Sequence, residues 1–237
     1  MHLHAVSPRY VTLYVTYCLR RASLVSTALL LAAPLAHLAS AQNIQPILNG
    51  IEKRYNSAKT LEIGFTENYT AQGRKRSEAG ILYLRKPGRM RWDYSNPAGK
   101  LFISDGKDVY FYSPEQKRAE KLKLKETEDL RAPMAFLLGR LDFSRDFQKF
   151  QTRPEGPNTW ITALPKSDKV PYRQVEFLAT PDFRIERLIV AGQDASVLDF
   201  SFSDEKRNPP VNDAMFRFQL PPGAQYVDSS QSVGGDR

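Results

Sequence analysis

The chain has 237 residues, with 34 Lys and Arg against 26 Asp and Glu, and a formal charge of +8. Its three His (His2, His4, His37) and its one Cys (Cys18) all lie in the first 41 residues, a stretch with the marks of a cleaved leader. The rest therefore lacks the side chains for a Ser-His-Asp triad, a Cys nucleophile, a disulfide or the usual zinc sites, which excludes the commonest hydrolase and zinc-enzyme classes.

The leader is read from Arg20 and Arg21, an apolar run from Leu24 to Leu35, and the small-x-small site Ala39-Ser40-Ala41, with cleavage expected before Gln42. The run is too short to remain as a membrane-spanning helix. No Cys stands at the cleavage site, so no lipid anchor is expected. Loss of Arg9, Arg20 and Arg21 takes the formal charge from +8 to +5. That mild positive charge points to anionic lipid head groups or an acidic partner surface rather than to nucleic acid. Residues 42–228 are expected to form a single domain, and 229–237, small and polar, a disordered tail.

Ile44, Ile47, Leu48, Ile51 and Tyr55 fall at helical spacing opposite Glu52, Lys53 and Arg54, which predicts an amphipathic helix. Leu61, Ile63 and Phe65 then alternate with polar or small residues as a first strand, followed by a basic loop over Gln72–Arg76. From Gly80 to Lys123 the chain reads as a β-meander punctuated at Lys86-Pro87-Gly88, Asn96-Pro97-Ala98-Gly99, Asp105-Gly106-Lys107 and Ser113-Pro114. From Glu126 the period becomes helical through Leu130, Met134, Leu137 and Leu138. Strands resume at 147–153, 159–164, 174–180, 184–191 and 197–203, and a last one is predicted at Phe216–Leu220. The fold class is thus mainly β with few helices. About eleven strands exceed what one flat sheet holds comfortably, so a strongly curved antiparallel sheet is expected.

Met90, Trp92 and Tyr94 alternate with Arg89, Arg91 and Asp93, and with Ile103 and Phe111 they are assigned to one apolar face. That face is either ordinary core or the wall of a cavity for an apolar ligand. The alternation alone favours ordinary core; the sharper reading, the cavity, is favoured by a curved sheet with little helix to fill it. The segment Pro133–Leu138 is apolar nearly all round and reads as a buried turn of helix or as a lid over that cavity. The acid pairs Asp204/Glu205 and Glu126/Glu128 read as solvated surface charge, and Asn68-Tyr69-Thr70 matches a glycosylation sequon of little weight. Neither a dinucleotide fingerprint nor a P-loop is present, and no metal site or cofactor is expected.

Several pieces then fall in a familiar order: Tyr83-Leu84-Arg85-Lys86-Pro87 with Arg91-Trp92, Ser104-Asp105-Gly106-Lys107, Tyr110-Phe111-Tyr112 with Pro114, Pro133-Met134-Ala135-Phe136-Leu137-Leu138, and Phe216 and Phe218 before Leu220-Pro221-Pro222-Gly223. In order and spacing the chain resembles the periplasmic outer-membrane lipoprotein carrier family, LolA. The resemblance implies an unclosed β-barrel with a helical lid over an apolar cavity; the segment read above as a lid supplies Met134, Phe136, Leu137 and Leu138, and the shared face makes Met90, Trp92, Tyr94, Ile103 and Phe111 the expected part of the acyl-chain lining. It implies a periplasmic chaperone, not an enzyme, and a monomer. The chaperone accepts lipidated proteins from an inner-membrane ATP-driven releasing complex and delivers them to an outer-membrane receptor or to the outer membrane itself. The alternative is a lipid-sensing or regulatory binding domain of related fold. Family members often carry Arg before the turn proline as a tie to the lid. Here that position is Lys86, the expected lid latch, whose ammonium has no planar fork.

Overall fold

Long alternating stretches, cut by Gly, Asn, Asp and Pro turns, build one twelve-stranded sheet. The computed structural model describes residues 43–124 and 141–227. The expectations for 1–41, Glu126 and Glu128, the lid residues Met134, Phe136, Leu137 and Leu138, and the tail 229–237 lie outside the described residues.

Helix α1 (Gln45–Ser57) comes first. It is followed by β1 (Thr60–Ala71), β2 (Arg74–Arg85), β3 (Arg89–Asn96), β4 (Ala98–Asp105), β5 (Asp108–Ser113) and β6 (Arg118–Lys123). A one-turn helix α2 (Phe143–Asp146) leads into β7 (Phe147–Glu155), β8 (Asn158–Pro165), β9 (Tyr172–Ala179), β10 (Ile185–Gly192) and β11 (Val197–Arg207). A 3-10 turn (Asp213–Phe216) and the short β12 (Gln225–Val227) close the described chain. The strand order is β12-β6-β5-β4-β3-β2-β1-β11-β10-β9-β8-β7. Every neighbouring pair is antiparallel except β12 with β6, and the two edge strands do not pair, so the barrel is unclosed.

Two sequence expectations need correction. The basic stretch at 72–76 is a loop only at Gln72 and Gly73, both at positive φ, as a two-residue hairpin turn requires; β2 already begins at Arg74. The sheet has twelve strands, in line with the expected count of about eleven. The segment 216–220 is not a strand. It crosses the outer face of β4 and β5, with the Phe218 ring stacked on Tyr110 at 5.1 Å, and the last strand forms later, at β12.

The core lies on one face of the sheet. Leu48, Ile51 and Tyr55 of α1 join Leu61, Ile63 and Phe65 of β1, Leu82 and Leu84 of β2, Trp92 of β3, Phe177 of β9, Leu188 of β10 and Phe200 of β11 in one cluster. The sheet curls so that strands distant in sequence meet around the apolar side of α1. Gly50 is the contact point with the β9–β10 turn: a Cβ there would lie 2.5 Å from the Phe183 ring. Edge strand β7 shows almost only exposed residues after Phe147. A bulge at Lys149 (φ 54°) and Pro154 spoil it as a template for further pairing.

Candidate functional site

Register decides which face each side chain takes. Trp92 pairs with Leu82 and Phe102, Phe102 with Phe111, and Phe65 with Gly80 and Phe202. Met90, Trp92, Tyr94, Phe102 and Phe111 therefore share the inner face with Phe65, Phe200 and Phe202. Ile103 pairs with Arg91 and Tyr110 and so points to the outer face. This corrects the shared-face assignment of Ile103: Leu101-Phe102-Ile103 is apolar at consecutive positions, so periodicity does not distinguish Phe102 from Ile103. The inner position belongs to Phe102.

The inner face is an aromatic floor. The Phe65 ring meets Trp92 edge-on at 4.6 Å and Tyr94 at 5.3 Å, and Trp92 lies 6.0 Å from Phe200. The Trp92 indole N–H donates to the Met90 sulfur at 3.2 Å, so the thioether satisfies the one polar atom of the ring. Met90 and Trp92 are 2% and 1% exposed. Gly80 permits this packing, because a Cβ there would meet the Asp93 carbonyl at 2.1 Å. The sequence reading missed Phe65, Phe102, Phe200 and Phe202 as members of the floor. Phe200 and Phe202 alternate with Asp199, Ser201 and Ser203, a signal that marks the face but not its meeting with β3.

One end of the floor is closed by α1. Lys86 Nζ donates to the Tyr55 carbonyl at 2.8 Å, at the C-terminal turn of α1, where that carbonyl also accepts from the Ala58 amide at 3.3 Å. Burial lowers the Lys86 pKa. The observed tie is thus to α1; the lid carbonyls to which Lys86 was assigned lie outside the described residues. Arg85 turns the other way, to Asp213, as alternation requires. An open cleft of about 570 Å³ lies beside Lys86, lined in part by Lys59, Arg85 and Asn208.

Beneath the same helix, the Tyr55 hydroxyl donates to Glu205 at 2.8 Å and accepts from the Ile185 amide at 2.9 Å. Arg54 Nε and Nη2 donate to the other Glu205 oxygen at 2.9 and 2.7 Å. The Glu205 side chain is 3% exposed, which corrects its reading as surface charge, whereas Asp204 is exposed. The cause is a bulge. Asp204 takes φ 53°, the β1–β11 register shifts between Glu62 and Gly64, and the extra residue reverses the alternation so that Glu205 points inward.

The opposite end of the floor is polar. Glu67 and Glu78 face each other across β1 and β2, both buried. Glu78 receives Lys100 Nζ and Arg76 Nε, and the Lys100 ammonium lies 4.4 Å from the Tyr94 ring centre. Nearby, a cleft of about 550 Å³ opens between the β8–β9 loop and the β10–β11 turn, with Tyr69, Tyr172, Val190 and Leu198 on its apolar side. Among the described residues, no group of three His, Cys, Asp or Glu is placed to hold a metal ion. No helix among them is long and apolar enough to cross a membrane.

The sequence profile described as "Outer membrane lipoprotein carrier protein LolA" matches residues 56–219. Among curated relatives, the chain is 26% identical over 204 residues to an outer-membrane lipoprotein carrier protein of Chromobacterium violaceum, covering 85% of this chain and 95% of that one. It is 29% identical over 215 residues to the protein of the same name from Bordetella avium, covering 89% and 98%. Among solved structures, it is similar to a LolA superfamily protein from Nitrosomonas europaea, with a TM-score of 0.43 and 12% identity, covering 73% and 97%.

Proposed function

The chain belongs to the outer membrane lipoprotein carrier family, LolA, and from that premise we propose that it is a periplasmic chaperone for lipidated proteins. It takes cargo released from the inner membrane by an ATP-driven complex and carries it to the outer membrane or to a receptor there. The observation that carries this reading is the aromatic inner face. Met90, Trp92, Tyr94 and Phe111, with Phe65, Phe102 and Phe200, offer acyl chains one apolar surface on a barrel that is not closed. In the packed state Trp92 is 1% exposed, so loading separates this floor from what covers it. Met134, Phe136, Leu137 and Leu138 are the proposed lid, and Lys86 the proposed latch.

Free diffusion does not serve such cargo. Each acyl methylene moved into water costs about 0.8 kcal/mol, so a chain of about fifteen costs on the order of 12 kcal/mol. Carrying requires burial and release, with no bond made or broken.

Trp160 lies on the outer face of β8, and Trp160→Phe leaves Trp92 as the only tryptophan. Titrating this variant with a diacylated cysteine lipopeptide is expected to give a saturable shift of Trp92 emission. The unacylated peptide is expected to give none. A folded protein that binds no lipopeptide would overturn the reading.

A further inference from the structure

The polar end of the aromatic floor contains a lysine whose donors the described residues do not all engage. Lys100 lies on the inner face of β4, two residues before Phe102, and its side chain is 13% exposed. Its ammonium carries three N–H donors. One reaches Glu78 Oε2, whose side chain is 4% exposed. Among the described residues the Lys100 ammonium has no other hydrogen-bond acceptor. It also lies over two aromatic faces, Tyr94 with its centre at 4.4 Å and Phe111 at 5.7 Å. Glu78 is satisfied twice, because its Oε1 also takes Arg76 Nε at 3.1 Å.

A buried ion pair of this kind seldom stabilises a fold better than an apolar pair of the same shape. The arrangement therefore needs a reason other than stability. Its position supplies one. Tyr94 and Phe111 are part of the floor proposed for acyl chains, and the ammonium stands directly over them where the apolar surface ends. An acyl lipid lying on that floor changes character at one place, the carbonyl groups that join its chains to the head. Carbonyl oxygens accept hydrogen bonds and carry no charge, so they take the spare donors of Lys100 without disturbing its pairing with Glu78.

We propose that Lys100, oriented by Glu78, is a binding residue for the ester carbonyls at the neck of the bound acyl lipid. The chains lie on the aromatic floor and the head and attached protein lie beyond the rim. This inference rests on the carrier reading and deepens it.

The test compares two synthetic lipopeptides with identical chains, one with ester-linked acyl groups on its cysteine glyceryl unit and one with ether-linked alkyl groups. The parent protein is expected to bind the ester form about tenfold more tightly, the scale of a hydrogen bond to a charged donor. Lys100→Met is expected to remove the preference by weakening the ester form alone, and Lys100→Arg to keep it. Glu78→Gln with Lys100→Met leaves no stranded carboxylate, so it gives the same reading if Lys100→Met folds poorly. Equal affinity of the parent for the two lipopeptides overturns the inference without any variant and leaves the carrier reading intact. So does an unchanged preference in Lys100→Met. A parent that binds neither lipopeptide overturns both. An ether-linked phospholipid whose binding is weakened by Lys100→Met, while the ether lipopeptide is unaffected, assigns Lys100 to a phosphate and also overturns it.

Discussion

The Tyr55 hydroxyl stands between Glu205, to which it donates, and the Ile185 amide, from which it accepts, and joins α1 to two strands. Burial, and then the charge of Glu205, raise its pKa far above the ordinary 10.0. The folded protein keeps this proton where the unfolded chain loses it, so the contribution is complete below pH 10 and declines as pH rises above it. Each such group changes the slope by about 1.4 kcal/mol per pH unit. Burial raises Tyr83 and Tyr172 in the same direction. Tyr55→Phe is expected to cost about 1–3 kcal/mol at pH 7, because it strands one Glu205 oxygen and the Ile185 N–H. Above pH 10 its stability is expected to fall less steeply than that of the parent. Urea unfolding at pH 7, 10 and 11 measures both effects; parallel curves above pH 10 would refute the assignment to Tyr55. Periodicity revealed that Tyr55 belongs to the buried side of α1. It did not reveal Glu205, because one bulge residue at Asp204 reverses the alternation and leaves no mark in the pattern except an aspartate, a residue that tolerates positive φ. Trp92 and Tyr94 were legible as inner residues because β3 alternates strictly with Arg91 and Asp93. Lys100 was not, since a lone lysine beside a turn reads as solvent-exposed.

At the scale of elements, α1, β1 and β3 were readable because each carries one clear period, and the run β7–β11 because turn residues separate its strands at short spacing. The segment 216–220 misled for a physical reason. Its alternation of Phe216, Phe218 and Leu220 reports a chain with one side against protein, and such a chain need not share backbone hydrogen bonds with a sheet. Phe216 is buried and Phe218 stacks on Tyr110, while the strand hydrogen bonds form only at β12. The join between α1 and the β2–β3 turn bears on function. Lys86 places a cation on a carbonyl at the C-terminus of α1, an interaction of about 0.3–1 kcal/mol. That is small beside the apolar contacts of α1 and large enough to bias an opening equilibrium severalfold. Lys86→Leu is expected to load lipopeptide as well as the parent and to pass it to acceptor vesicles severalfold more slowly, because the packed, empty state loses its tie. Lys86→Arg is expected to transfer at least as fast as the parent. Stopped-flow transfer of one labelled lipopeptide compares the three. Equal rates for Lys86→Leu and the parent, at matched stability, would reduce Lys86 to a structural cation.

The described residues form a sheet that curls around a single apolar face and stops short of closure, with β12 and β7 as separate edges. A closed barrel would fix the size of its interior. An open one can let its two flanks move apart as chains enter between the floor and its cover. The energetics of the proposed task set a condition on that interior. Acyl chains must find it about as favourable as the bilayer at either end of the journey, since a much better environment would hold the cargo and a much worse one would never take it. Chain length therefore cancels for carried cargo and does not cancel for cargo crossing water alone. Each added methylene is expected to slow spontaneous transfer about fourfold, from about 0.8 kcal/mol of exposure. Two more methylenes on each of two chains then slow it roughly two hundredfold. With the protein present, the same lengthening is expected to change the transfer rate between donor and acceptor vesicles by no more than a few-fold, because no methylene meets water on the way. Transfer assays with lipopeptides of two chain lengths, with and without protein, give the comparison. A protein-dependent rate that falls with chain length as steeply as the spontaneous one would mean that the chains still pass through water and that the inner face does not hold them.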